Sequence, residues 1–175
     1  TLTITPAILT VKANNASRLY FDAEPEYTYA VTGFLNSDTE ASFTKVPIFK
    51  TNATMASKVG TYTITPYGAE SRNYDIKYET GILTITKRQL TATANVVSRE
   101  YGENNPLFRI SYDGFVNNEN ESMLDVIPSV TSTATPTSNV GTYTISLSGG
   151  VATNYNLTLK SGILTVTKAP LAIVV

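Results

Sequence analysis

The amino-acid sequence repeats after 81 residues without a single gap, and this repeat decides how the 175-residue chain is organised. Residues 9–87 align with residues 90–168, and about 31 of the 79 aligned pairs are identical. The strongest blocks are VGTYTI at 59–64, which recurs at 140–145, and GILT at 81–84, which recurs at 162–165. Identity spread this evenly indicates two copies of one module rather than a biased composition.

The repeat places the boundary between the modules at the short charged segment 87–89. We therefore predict a first module at residues 1–87 and a second module at residues 88–175. Residues 1–6 match the end of a module and are predicted to be the tail of a preceding repeat, whereas residues 169–175 match the start of a following one. So short a link predicts modules that meet end to end, because a flexible tether reaches only about 5–6 Å times the square root of its length. If the first and last strands of each module are parallel, such modules would stack into a rod.

Alternating apolar and polar residues predict β-strands throughout both modules. TYTIT at 61–65 and LTIT at 83–86 have the period of a half-buried strand, and their residue types favour strands. The predicted strands of the first module are residues 8–14, 26–32, 45–51, 61–65, 74–79 and 83–86, and those of the second module lie 81 positions further on. The fold class is therefore mostly β, with two homologous tandem modules.

One segment of each module, residues 36–43 and 117–124, breaks this alternation by starting polar and ending apolar. Asn36 or Ser37 is predicted to cap a short helix, whose acidic first turn the helix dipole would stabilise. Two strands, a short helix and three or more further strands form the order of a β-grasp fold. If no helix forms, a seven-strand immunoglobulin-like β-sandwich is the alternative.

The absence of Cys, His and Trp, together with a net charge of -1, narrows the possible functions. Disulfides, thiolate or imidazole metal ligands and catalytic triads with a His base are excluded. The 13 basic and 14 acidic side chains provide no positive field, so we expect no nucleic-acid partner. No apolar run approaches the length of a membrane span, so we expect no membrane insertion. We predict that the chain is not an enzyme and has no catalytic residues, no metal site and no cofactor.

The string YGENNP at residues 101–106, followed by Phe108, Tyr112, Gly114 and Phe115, resembles the MBG repeat of the YGX type. The closing GILTVTK and the NY-x-L that precedes it are similar to the same family, so the resemblance covers nearly all of both modules. The first module departs from the string, because YFDAEP at its residues 20–25 keeps only the Tyr and the Pro. Repeats of this family occur in tandem in large bacterial surface and adhesin-like proteins. The resemblance therefore implies a β-grasp-like fold, an extracellular location at the bacterial cell surface and no known catalysis.

The loop at residues 101–106 is the candidate ligand-contact site. Tyr101, Asn104 and Asn105 place polar groups next to an aromatic ring, which would suit a sugar or a peptide, and Tyr20 is the counterpart of Tyr101 in the first module. The alternative is a plain turn in which Gly102 takes a positive φ, since Gly, Asn and Pro are the residues that turns need for backbone reasons.

The acidic segments contain carboxylates, which are possible calcium ligands. Their residues are Asp38 and Glu40 in the first module and Glu119, Glu121 and Asp125 in the second. Calcium prefers several convergent oxygen ligands, but the spacing here lacks the order of an EF-hand loop. The spacing therefore favours helix capping and a solvated surface over a calcium site.

Two functions from different classes fit these observations. The first is a non-catalytic stalk or spacer of a bacterial cell-surface protein, with adhesion as an additional role and neighbouring repeats of the same chain as partners. The second is a ligand-binding adhesin module that recognises an extracellular host glycan or protein. A binding site predicts a concave patch around Tyr101, Asn104 and Asn105, whereas a spacer predicts that the loop is closed by its own turn hydrogen bonds.

Overall fold

The computed structural model describes residues 2–171. The chain divides into two compact units, and the division falls between Lys87 and Arg88. We call these units module 1 and module 2. The predicted start of a further module, residues 169–175, lies mostly outside the described residues. The first residue of the predicted tail at 1–6 also lies outside them, so both remain predictions.

Both modules consist mostly of β-strands, which confirms the prediction from the alternating pattern. The strands of module 1 are β1 (Ala7–Ala13), β2 (Ala16–Leu19), β3 (Tyr29–Thr32), β4 (Phe43–Lys45), β5 (Ile48–Thr51), β6 (Gly60–Tyr67), β7 (Glu70–Ser71), β8 (Tyr74–Glu79) and β9 (Gly81–Thr86). The strands of module 2 are β10 (Arg88–Ala94), β11 (Val96–Glu100), β12 (Ile110–Asp113), β13 (Ser129–Ser132), β14 (Gly141–Ser148), β15 (Tyr155–Lys160) and β16 (Gly162–Thr167). The strand pairing of the modules differs where β4 and β7 pair in module 1, because an isolated bridge joins Val126 to Val151 at this place in module 2.

In each module, the first two strands pair in parallel with the last two strands. In module 1, β1 pairs with β8 in a sheet of order β3-β1-β8, and β2 pairs with β9 in a sheet of order β2-β9-β6-β5. In module 2, β10 pairs with β15 in the order β12-β10-β15, and β11 pairs with β16 in the order β11-β16-β14-β13. The first and last segments of a module therefore each run through two of its sheets.

Apolar side chains at matching positions form the core of each module. In module 1, Leu9, Val11, Ile64, Leu83 and Ile85 are buried almost completely. The residues 81 positions later are buried in module 2, namely Leu90, Ala92, Ile145, Leu164 and Val166. Burial falls on every second residue of β1 and β9, as expected for strands with one face against a core.

A glycine lies where the last segment passes from one sheet to the other. Gly81 opens β9, and a Cβ atom at this position would lie only 2.6 Å from the carbonyl oxygen of Asn14 and 2.7 Å from that of Ala13. Gly162 is equally close to the first segment of module 2. Glycine recurs here because a backbone passes too close for any side chain.

The predicted short helices are not present in the described residues. Each segment contains only one three-residue turn of 3-10 helix, Glu40–Ser42 in module 1 and Glu121–Met123 in module 2. Asn36 and Ser37, the predicted caps, have φ angles of 52° and 67°, a left-handed conformation that closes a tight turn and is incompatible with starting a helix. Within the described part of the chain, no helix is long and apolar enough to span a bilayer.

Candidate functional site

The YGENNP loop of module 2 is closed by hydrogen bonds from its own backbone. The amide of Tyr101 donates to the carbonyl oxygen of Thr167 at 2.9 Å, which ties the loop to the end of β16. The amide of Gly102 donates to the carbonyl oxygen of Pro136 at 3.1 Å. Gly102 has a φ of 92°, the positive value that the turn predicts. The amide of Glu103 donates back to Glu100 at 3.3 Å. These bonds fix the loop as a turn against two neighbouring segments of the module.

Asn105 points into the module, where it binds a buried arginine. The Arg99 side chain is only 5% exposed, and its Nε donates to Asn105 Oδ1 at 2.7 Å. Asn105 Nδ2 in turn donates to the carbonyl oxygen of Ala134 at 2.7 Å. The guanidinium also donates to the carbonyl oxygens of Glu100 and Thr135, so its charge is well solvated by the protein. Both functions of the Asn105 amide are therefore used inside the module.

The other three candidate residues are dispersed between surface and core. Tyr101 is 46% exposed and Asn104 is exposed, so both side chains lie on the surface of module 2. Tyr20, the counterpart of Tyr101, is only 4% exposed, and its ring lies against Phe21 with 6.1 Å between the centroids. The structure thus leaves two of the candidate side chains accessible in the loop of module 2, while the matching tyrosine of module 1 is buried.

The corresponding loop of module 1 uses a carboxylate where module 2 uses an amide. Arg18 is 7% exposed, and its guanidinium donates to Glu24 Oε1 at 3.0 Å and to the carbonyl oxygen of Thr54 at 2.7 Å. The Tyr27 hydroxyl donates to the other oxygen of Glu24. The pKa of Tyr27 is raised to about 12, mainly by burial and next by this hydrogen bond to Glu24. The loop of module 1 is therefore also held together by its own polar side chains.

The acidic segments supply acceptors for buried tyrosines. Tyr74 donates its hydroxyl hydrogen to Asp38 Oδ2 at 2.7 Å and accepts a hydrogen bond from the Leu35 amide at 3.0 Å. Tyr155 makes the same pair of bonds in module 2, with Glu119 and the Val116 amide. Each tyrosine thereby locks the tight turn that precedes the 3-10 segment. Among the described residues, no group of three or more acidic side chains is arranged to hold a metal ion.

Two concave surfaces of the described residues lie away from the YGENNP loop. One of about 310 Å³ in module 1 is lined by residues that include Pro6, Leu35 and Arg72. Another of about 360 Å³ in module 2 is lined by Tyr112, Phe115, Glu119, Asn120 and Glu121. The hydroxyl of Tyr112 is buried there without a hydrogen-bond partner in the described structure. Burial, and then the nearby charge of Glu121, raises the pKa of Tyr112.

The alternating pattern does not predict the two buried arginines. Arg18 and Arg99 lie 81 positions apart and are identical, which is a signal that both modules need this side chain. A charged residue between strand candidates is normally expected at the surface, so sequence alone does not predict that these two side chains are buried. Strands β2 and β11, which contain these arginines, were missed for the same reason.

Comparison with known protein families assigns the chain. A model of the MBG domain (YGX type) matches twice in tandem, at residues 9–84 and 90–165. These matches cover most of the chain, which therefore belongs to the MBG (YGX type) family and contains two consecutive copies of its domain. No curated protein matches the chain significantly.

Proposed function

We propose that this chain is a non-catalytic spacer segment of a bacterial cell-surface protein. The observation that carries the proposal is the internal use of polar groups in the candidate loop. Asn105 is bound to Arg99 and Ala134, and the backbone of the loop is tied to Thr167 and Pro136. This is the arrangement expected for a module whose loops serve its own fold. Two tandem MBG domains are compatible with such a structural repeat.

We also infer that the module architecture is β-grasp-like despite the missing helix. The first segment of a module is β1–β2 or β10–β11, and its last segment is β8–β9 or β15–β16. The first and last segments pair in parallel, and in module 1 β1 and β9 also have the antiparallel partners β3 and β6. An immunoglobulin-like sandwich is built from two antiparallel sheets, so the parallel pairing favours the β-grasp alternative.

The location at the cell surface and the absence of enzymatic activity belong to the same proposal. Their support is the family membership together with the tandem repeat. Protease treatment of intact cells that produce the natural protein tests the location, because a surface protein is cleaved while cytoplasmic markers are retained.

A display experiment tests the spacer function directly. An epitope tag is attached to a bacterial surface anchor through no module, module 1 alone or the full 175-residue chain, and binding of an antibody to the tag is measured on intact cells. A spacer predicts that antibody binding increases with the number of modules and is unchanged by Tyr101→Ala and Asn104→Ala. Antibody binding that does not depend on the number of modules would overturn the proposal.

The adhesin alternative has its own readout. The full chain is applied to an array of host-type glycans and to immobilised extracellular matrix proteins. We expect no binding above that of an unrelated β-domain. Binding that disappears with Tyr101→Ala, whose side chain is accessible in module 2, would identify an adhesin instead.

A further inference from the structure

We propose that each module is a mechanical clamp, in which the hydrogen bonds between its first and last segments are loaded in shear when the chain is pulled from its ends. The clamp deepens the proposed spacer function and rests on it. A segment that lies between an anchor and an exposed domain has to transmit tension, and a clamp would resist that tension.

The strand register of module 1 defines the direction of load. Ala7 begins β1 and lies opposite Tyr74, which begins β8. Leu19 ends β2 and lies opposite Thr86, which ends β9. The chain therefore enters module 1 at one end of the paired segments and leaves it at the other end. Tension applied at these two points slides β1 and β2 along β8 and β9.

The load falls on two parallel ladders in each module. In module 1, six residue pairs join β1 to β8 and four join β2 to β9. In module 2, six pairs join β10 to β15 and five join β11 to β16. Because the hydrogen bonds of a ladder lie across the direction of pull, sliding must break many of them together. Pulling two strands apart from one end breaks them one after another instead.

Further bonds connect the same segments outside the regular ladders. At the crossing between the sheets of module 1, Asn15 Oδ1 accepts a hydrogen bond from the Ile82 amide at 2.8 Å. At the far end, the Tyr20 amide donates to the carbonyl oxygen of Thr86 at 2.9 Å. The close approach at Gly81 prevents the two segments from separating at the crossing without loss of packing. The clamp of module 1 thus extends from Ala7 to Tyr20, with the crossing at Gly81 between its two ladders.

The sequence contains no Cys, so introduced thiols are unique attachment points for pulling a single molecule. In the full chain, Thr5→Cys with Lys87→Cys loads module 1 in shear. Thr5→Cys with Arg72→Cys loads the same ladder from one end, because Thr5 and Arg72 line the same concave surface. All three positions are exposed, so both double variants are expected to keep the wild-type melting temperature.

Optical tweezers with DNA handles on these thiols compare the two directions at one loading rate. We expect the shear direction to require a force roughly three-fold higher or more, since several hydrogen bonds must break together and not in sequence. Unfolding in shear should release roughly 24 nm, because an extended chain spans about 3.4 Å per residue and the folded strands already span about 4 nm.

Equal forces in the two directions would overturn the clamp. If one variant of module 1 fails to fold, Lys87→Cys with Lys168→Cys and Lys87→Cys with Thr153→Cys provide the same comparison in module 2. The result is independent of the display experiment. A spacer without a clamp gives antibody binding that depends on the number of modules, and equal unfolding forces in the two directions. A clamp without a spacer function gives a higher force in shear, and antibody binding that does not depend on the number of modules.

Discussion

At the scale of single residues, a buried arginine organises the polar loop of each module, and its side-chain partner differs between the two. Arg18 binds the carboxylate of Glu24, whereas Arg99 binds the amide of Asn105. In both modules the guanidinium also donates to a backbone carbonyl 36 positions later. A buried cation needs such partners, because an unpaired charge in the protein interior is strongly destabilising. The residues of the YGENNP loop are thus explained first by the requirements of the fold.

Asn105→Ala should therefore destabilise module 2. The substitution leaves Arg99 Nε and the carbonyl oxygen of Ala134 without their partner, which costs about 1–3 kcal/mol of unfolding free energy. Asn104→Ala is the matched control, because Asn104 is exposed, and we expect a change of less than about 0.5 kcal/mol. Urea denaturation followed by amide hydrogen exchange measures both variants. Equal effects of the two substitutions would contradict a structural role for Asn105.

Tyr27 should make the stability of module 1 sensitive to high pH. Burial raises its pKa from 10.0 to about 12 in the folded state, so the unfolded chain releases this proton first. The contribution of Tyr27 is complete below pH 10 and is lost as the pH rises through about 12. Tyr27→Phe should reduce the loss of stability between pH 10 and 12, measured by urea denaturation with circular dichroism. An unchanged alkaline loss in the variant would contradict this assignment.

At the scale of elements, the sequence predicts most of the longer strands but neither β2 and β11 nor the connections. The strand at residues 74–79 is predicted with its observed bounds, because its alternation reports burial on one face. The predicted short helix is not shown, because its polar residues are equally suited to a left-handed turn and only a 3-10 turn follows them. The closing of that turn depends on Tyr74, which lies far away in the sequence. The candidate site shows the same limit, because only the folded chain reveals that Asn105 faces inward.

Gly162→Ala should strongly destabilise module 2. A Cβ atom at this position would overlap the carbonyl oxygens of Asn95 and Ala94, so the first and last segments of the module would have to move apart. We expect a loss of about 2 kcal/mol or more, comparable with overpacking of a core. Ser161→Ala, one residue earlier at an exposed position, is the control and should change the stability by less than about 0.5 kcal/mol. A melting temperature of Gly162→Ala equal to that of the control would show that the crossing tolerates a side chain.

At the scale of the whole molecule, the hydrogen-bonded strands define two separate folding units. Every strand pairing in the described part of the chain joins strands of the same module. In particular, β9 pairs only with β2 and β6, and β10 pairs with β12 and β15, although Lys87 alone separates β9 from β10. The stability of each module should therefore depend on its own ladders and core.

A flexible insertion tests this separation at the boundary. A short Gly-Ser segment placed between Lys87 and Arg88 interrupts no strand pairing, so each module should keep its unfolding free energy within about 0.5 kcal/mol. The same segment placed between Thr80 and Gly81 separates β8 from β9 at the crossing, and we expect it to unfold module 1 while module 2 remains folded. Amide hydrogen exchange distinguishes the two modules in both variants. Loss of protection in either module after the first insertion would mean that the modules share structure across the boundary. If the modules fold independently, an insertion between Lys87 and Arg88 interrupts no strand pairing and leaves the protection of both modules unchanged.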